Sequence, residues 1–285
     1  MHKRIENWPV FVGLALIHIG ALAVFLPATF SWSGVVVMLV LVYITGALGV
    51  TLNYHRTLTH RALRMVKPLE YLTAVFATLS LQGGPIEWVA THRAHHAHSD
   101  KDMDPHNSNE GFRWSHLTWL YLANKAILTR DQQLRMAHDI AADKFYMFID
   151  RYQLVLQAGL AALLFLLGMA LGGPVLGLSW VVWGIFVRLV LTYHLTWLIN
   201  SAAHSVGYQS YKTGDRSTNC WWLALMSWGE GWHNNHHAFP FSARHGLRWF
   251  EIDHTWHVIK ILKSLRLVTN IKVPTLQMRQ RLQTD

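Results

Sequence analysis

Residues 230–240 read EGWHNNHHAFP, which places His233, His236 and His237 within five positions. On a helix, residues at i, i+3 and i+4 share a face, so this spacing aims three imidazoles the same way. Neutral imidazole is the commonest nitrogen ligand for a metal and suits iron, copper, zinc and nickel. The spacing recurs at His92, His95 and His96 in HRAHH, and a wider pair, His55 and His60, sits in HRTLTH. Eight imidazoles in these motifs exceed the needs of one ion and suit two.

The setting is apolar. Of 285 residues 52% are hydrophobic and 14% charged, against roughly 25% charged in soluble domains. Four runs are long enough to cross a hydrocarbon core of about 30 Å: residues 8–30, 32–53, 154–171 and 178–203. The short links after the first and third runs carry no charge, so each pair forms a hairpin. Residues 1–6 are short and basic, and no small-residue cleavage site closes the first run, which reads as a retained anchor. Residues 69–83 are apolar but too short to span, and predict an interfacial or buried helix. The fold class is therefore an all-α integral membrane protein. It is a single domain over residues 1–285, with four transmembrane helices in two hairpins and a helical cap at 54–152 and 204–285 carrying a histidine-rich site for two metals.

All 25 Lys and Arg except Arg188 fall in the tail, the middle loop and the C-terminal region. That asymmetry predicts a cytoplasmic location for both termini and the histidine-rich cap. It also accounts for the net charge of +9 as a face towards membrane lipid or an acidic partner, with no nucleic acid needed. The single cysteine, Cys220, leaves no intrachain disulfide and no thiolate metal site.

His55 and His60 directly follow the second run, and His204, in NSAAH, directly follows the fourth. The candidate metal ligands are thus His55, His60, His92, His95, His96, His204, His233, His236 and His237. Asn200, one turn before His204, is placed to bind through a water. Asp100, Asp104 and Glu230 are the nearest acids for orienting imidazoles. Arg188 lies inside the fourth run, where a charge is costly. Of the remaining ten histidines, His18 and His194 within runs read as packing residues or pocket walls, and His2, His98, His106, His116, His138, His245, His254 and His257 as surface groups or supports for the ligands. Haem sites do not use such triplets, and the HExxH pattern of hydrolytic zinc is absent. Softness alone leaves copper and zinc open beside iron.

The set HRTLTH, HRAHHAHSDKDMDPHN, NSAAH and EGWHNNHHAFP resembles the membrane fatty acid desaturases, closest to the Δ9 branch of stearoyl-CoA and acyl-lipid enzymes. The resemblance covers roughly residues 53–240. It implies an O2-dependent di-iron enzyme, with two Fe ions as cofactor, that introduces a cis Δ9 double bond into a saturated C16 or C18 acyl chain on lipid or CoA. No HPGG-type haem motif of a fused cytochrome b5 is present, so the implied electron donor is a separate ferredoxin-like or cytochrome b5-like protein with its reductase. Matched motifs place Gln82, Trp88, Thr196 and Trp197 at the bend of the acyl tunnel and Tyr43 as the plug that limits chain length. The alternatives are a hydroxylase on the same scaffold, or a non-catalytic membrane metal-binding protein.

Overall fold

The computed structural model describes residues 3–284; His2 lies outside them. Among the described residues, four helices are long and apolar enough to cross a membrane: Trp8–Phe25, Trp32–Thr59, Gln153–Gly172 and Pro174–His204. The first ends sooner than the apolar run suggests. Leu26 precedes Pro27, and the residue before a proline is pushed out of the helical region; Leu26 is extended, at φ −82° and ψ 124°. The second continues past the end of its apolar run and carries His55 inside the helix. The fourth starts early, at a proline in the first helical position after Gly173, whose φ of +83° suits glycine.

The two hairpins are tied at the end away from the histidines. Ser31 caps the second span by accepting from Gly34 N at 2.9 Å, and its hydroxyl meets that of Ser179 at 2.7 Å. Trp180 Nε1 donates to Ser33 Oγ (3.0 Å) and Trp183 Nε1 to the Thr29 carbonyl (3.1 Å). These bonds satisfy indole N–H groups where lipid offers no partner.

The second span changes its winding at Tyr43. From there to Thr59 it is a π-helix, with hydrogen bonds five residues apart, as from His60 N to the His55 carbonyl at 3.1 Å. In an α-helix two residues five apart point about 140° away from each other, at 3.6 residues per turn. The wider π turn brings them towards one side. His55 and His60 accordingly face each other, with ring centroids 4.8 Å apart.

Helix Lys67–Thr78 packs along this segment, as expected for the short apolar run at 69–83. Asn53 Nδ2 donates to the Glu70 carbonyl and to Thr73 Oγ1, and the hydroxyls of Tyr54 and Thr78 meet at 2.8 Å. A core of Tyr54, Ile86, Val89, Ala137, Tyr146 and Ile149 joins helix Pro85–His98 to the end of the second span and to the rest of the cap. One two-stranded antiparallel ribbon, Arg64–Met65 with Val268–Thr269, closes the cap.

Arg188 is fully buried in the fourth span and is caged by carbonyl oxygens. Nε donates to Gly184 O (2.7 Å) and Nη1 to Leu79 O (2.7 Å), while the Gln157 amide oxygen lies 2.9 Å from Nη2. The charge thus ties the third and fourth spans to the turn after helix Lys67–Thr78 and is structural.

Candidate metal centre

The nine histidines converge in two groups. His55, His60, His92, His96 and His236 offer ligand atoms that all lie within 4.8 Å of one another, and so do those of His95, His204, His233 and His237. Neither triplet stays together. In each, the residues divide between the groups: His92 and His96 from His95, and His236 from His233 and His237. Successive helical positions point about 100° apart, so adjacent rings serve different centres while both face inwards.

Carboxylates fix the tautomers of three rings in the group of four. His95 Nδ1 pairs with Asp104 (3.0 Å), His204 Nδ1 with Asp100 (2.9 Å) and His237 Nδ1 with Asp215 (2.6 Å). A carboxylate can only accept, so each of these Nδ1 atoms carries the proton and each Nε2 presents a lone pair. Yet the inward atoms are all Nε2. His233 and His204 meet at 3.0 Å, His95 and His237 at 3.3 Å, His55 and His236 at 3.0 Å, and His236 and His96 at 2.9 Å. His95 and His237 both commit Nδ1 to a carboxylate, so their Nε2 lone pairs face each other and repel, and a cation between them removes the conflict. The donor set therefore fits two metal ions, one per group.

Burial and mutual proximity hold His60, His92, His96, His233 and His236 well below the ordinary imidazole value, and His237 at about 4. The rings are thus in the neutral, metal-binding form at neutral pH. Glu230 is buried, which pushes its carboxyl up. His55, Arg56 and His245 outweigh that and keep it charged. Its Oε2 lies 2.6 Å from His55 Nδ1, and Oε1 accepts from Arg56 Nη2 at 3.0 Å. Arg56 also donates to both oxygens of Asp253.

Several partners escaped the sequence reading. Asp215 lies in a loop 22 residues before His237 with no motif around it. His245 and His106, read as surface or supporting groups, are buried: His245 beside His55 and Glu230, and His106 beside His95 and Asp104. His18, His194 and His116 form a separate line, with His116 Nε2 3.0 Å from His194 Nδ1 and His194 Nε2 3.2 Å from His18 Nε2.

A cavity opens from both histidine groups towards the membrane. The second span lines it with Gly46, Val50 and Thr51, and the fourth with Leu195, Thr196, Ile199 and Asn200; Trp88 and Trp228 complete the wall. Of the expected tunnel residues, Trp88 and Thr196 thus lie on the cavity, as does Asn200. Trp197 is buried behind the wall, stacked on Tyr193 with centroids 5.2 Å apart. Gln82 is off the wall, its Nε2 buried without a partner. Tyr43 is also off the wall, with its hydroxyl 2.9 Å from His254 Nε2.

The family model described as fatty acid desaturase matches residues 30–262. An sn-1 stearoyl-lipid 9-desaturase from Anabaena variabilis is 51% identical over 267 residues, 94% of each chain. Another sn-1 stearoyl-lipid 9-desaturase, from Synechocystis, is 47% identical over 95% of this chain and 82% of its own. An acyl-CoA C20 Delta5-desaturase from Anemone leveillei is 44% identical over 96% of this chain and 85% of its own.

Proposed function

The chain belongs to the fatty acid desaturase family, and from that membership we propose that it inserts a cis double bond at Δ9 of a saturated C16 or C18 acyl chain carried on a membrane lipid. The observation that carries this reading is the cavity: it is apolar, runs between the second and fourth spans, and ends on both histidine groups. An acyl methylene has no polar handle, so only the shape of such a wall can choose which carbons react. The 51% identical relative is named for lipid-linked stearoyl chains and position 9, which supports that carrier and that position over the acyl-CoA and Δ5 of the more distant one.

His55, His60, His92, His96 and His236 would hold one iron, and His95, His204, His233 and His237 the other, with Asn200 reaching the second through a water. Iron bound there supplies the redox chemistry by which O2 attacks an unactivated C–H bond. The balance is closed. The chain gives up two hydrogen atoms, a separate ferredoxin-like or cytochrome b5-like donor gives two electrons, two protons are taken up, and O2 leaves as two waters. Asp100, Asp104 and Asp215 fix the ring tautomers, and Val50, Leu195 and Ile199 keep water from the reacting carbons. The concentration of Lys and Arg on the histidine side supports a cytoplasmic site.

The test is the fatty-acid profile of a bacterial host expressing this chain with an electron donor, with double-bond position read by mass spectrometry and His236→Ala as control. New Δ9 monoenes absent from the control are expected. Hydroxylated chains, or monoenes at another position, would overturn the reading.

A further inference from the structure

The plug expected at Tyr43 lies outside the cavity, which leaves open what bounds it on the side away from the metals. Trp228 lines the cavity where the second span reaches Gly46. Its indole rests on Gly46, nine residues before His55 in the second span: a Cβ built on Gly46 would come within 2.4 Å of Trp228 Cη2 and Cζ3. The two residues therefore fit only as a pair, a large ring against a bare backbone.

Trp228 is also held where its own backbone does not favour it. Its φ is +56°, a region that a bulky side chain rarely occupies and that persists only when its surroundings enforce it. The enforcing contacts are present. Its carbonyl accepts from Thr255 N at 3.0 Å and from Thr255 Oγ1 at 2.9 Å. The Thr255 hydroxyl in turn meets that of Thr51, 2.8 Å away on the second span. The Trp228 backbone is thus tied through Thr255 to the same helix that carries His55, and the ring itself rests on Gly46 of that helix.

Granting the desaturase reading, we infer that Trp228, seated on Gly46, is the wall that stops the methyl end of the acyl chain and so sets the chain length accepted. The metal end of the cavity fixes the carbons that react; the chain beyond them runs along Val50 and Ile199 towards Trp228. Truncating the ring lengthens the space for the methyl end and leaves the carboxyl side unaltered. A side chain at position 46 does the opposite, by pushing the ring into the cavity.

The experiment compares wild type, Trp228→Ala, Trp228→Phe and Gly46→Ala in a host supplied with C16, C18 and C20 saturated acids. It reads monoenes by chain length and double-bond position. An extra methylene in an apolar pocket changes discrimination by about tenfold or more. Trp228→Ala is therefore expected to raise the C20-to-C18 product ratio about tenfold, with the double bond unmoved from the carboxyl end and Trp228→Phe between. Gly46→Ala is expected to shift products towards C16. An unchanged ratio in Trp228→Ala, or a shift in double-bond position at unchanged length, overturns the wall. Thermal stabilisation of the purified variants by 1-stearoyl and 1-arachidoyl lysophospholipid gives a readout free of turnover. Trp228→Ala should gain stabilisation from the longer chain relative to wild type, and equal profiles again overturn the wall. A wild type that makes no monoene defeats the desaturase reading alone, and the lysophospholipid profiles then decide the wall.

Discussion

His237 Nδ1 sits 2.6 Å from Asp215 Oδ2, and Asp215 is itself fixed by Thr213 Oγ1 at 2.7 Å and Ser217 N at 3.0 Å. The carboxylate therefore dictates which nitrogen of His237 faces the four-histidine group. Partners of this kind typically contribute 10–100-fold to metal affinity. Asp215→Asn is expected to weaken iron retention by about that factor, because an amide presents a donor as readily as an acceptor to Nδ1. Chelator titration of the purified protein measures it. Asp102→Asn serves as control, since that side chain is 91% exposed and 3.8 Å from its nearest cation. Equal retention in the two variants would remove Asp215 from the site.

Adjacent histidines should answer to different ions. His95 belongs to the group of four and His96 to the group of five. On the proposed two-iron site, metal content is expected to fall by about half in His95→Ala and in His96→Ala, and towards none in the double variant. Elemental analysis against protein concentration decides it. A double variant that keeps as much iron as either single one would mean that both rings serve one centre.

Much of this was legible before the fold. Four apolar runs, the charge asymmetry and the histidine spacings lead to a four-span membrane protein with a two-metal cap. What could not be read has identifiable causes. The His55–His60 pair depends on π winding, and nothing in HRTLTH marks a five-residue hydrogen-bond register. The division of each triplet depends on the 100° between neighbouring positions, which matters only when two centres lie on one helix flank. Asp215 reaches His237 from a loop, a contact that no local pattern encodes. The contacts of Tyr43 with His254 and of Trp197 with Tyr193 likewise join residues that no spacing in the sequence pairs.

Acid should weaken the cap through Asp139. Burial pushes its carboxyl up, but hydrogen bonds from Arg93 and Arg61 outweigh this and hold it below the usual carboxylate range. A depressed folded pKa gives stability that is present above the unfolded value, about 3.9, and is lost as pH falls towards the folded one. Asp139→Asn should therefore melt below wild type at pH 7, and the gap should narrow below about pH 4. Thermal unfolding of both proteins across that range checks it. A gap of equal size at pH 7 and pH 3.5 would show that the pairing carries no linked stability.

Arg56 is the cation on which the buried Glu230 and Asp253 depend. It has no exposed surface. It donates to Glu230 Oε1, to both Asp253 oxygens and to the Ala243 carbonyl, at 2.9 to 3.2 Å. Removing one member of a buried ion network leaves the others charged and desolvated, a cost of about 3–5 kcal/mol. Arg56→Met should destabilise the protein by that order, because Glu230 and Asp253 would then face each other across an apolar side chain. Asp253→Asn in the same chain removes one of the stranded charges, so the double variant should lose less than the sum of the singles. The coupling expected for residues in direct contact is about 1–3 kcal/mol. Equilibrium unfolding of the two singles and the double in detergent measures it. Additive losses would mean that Asp253 is held by the backbone amides of His245 and Trp256, which also donate to it, and not by the guanidinium.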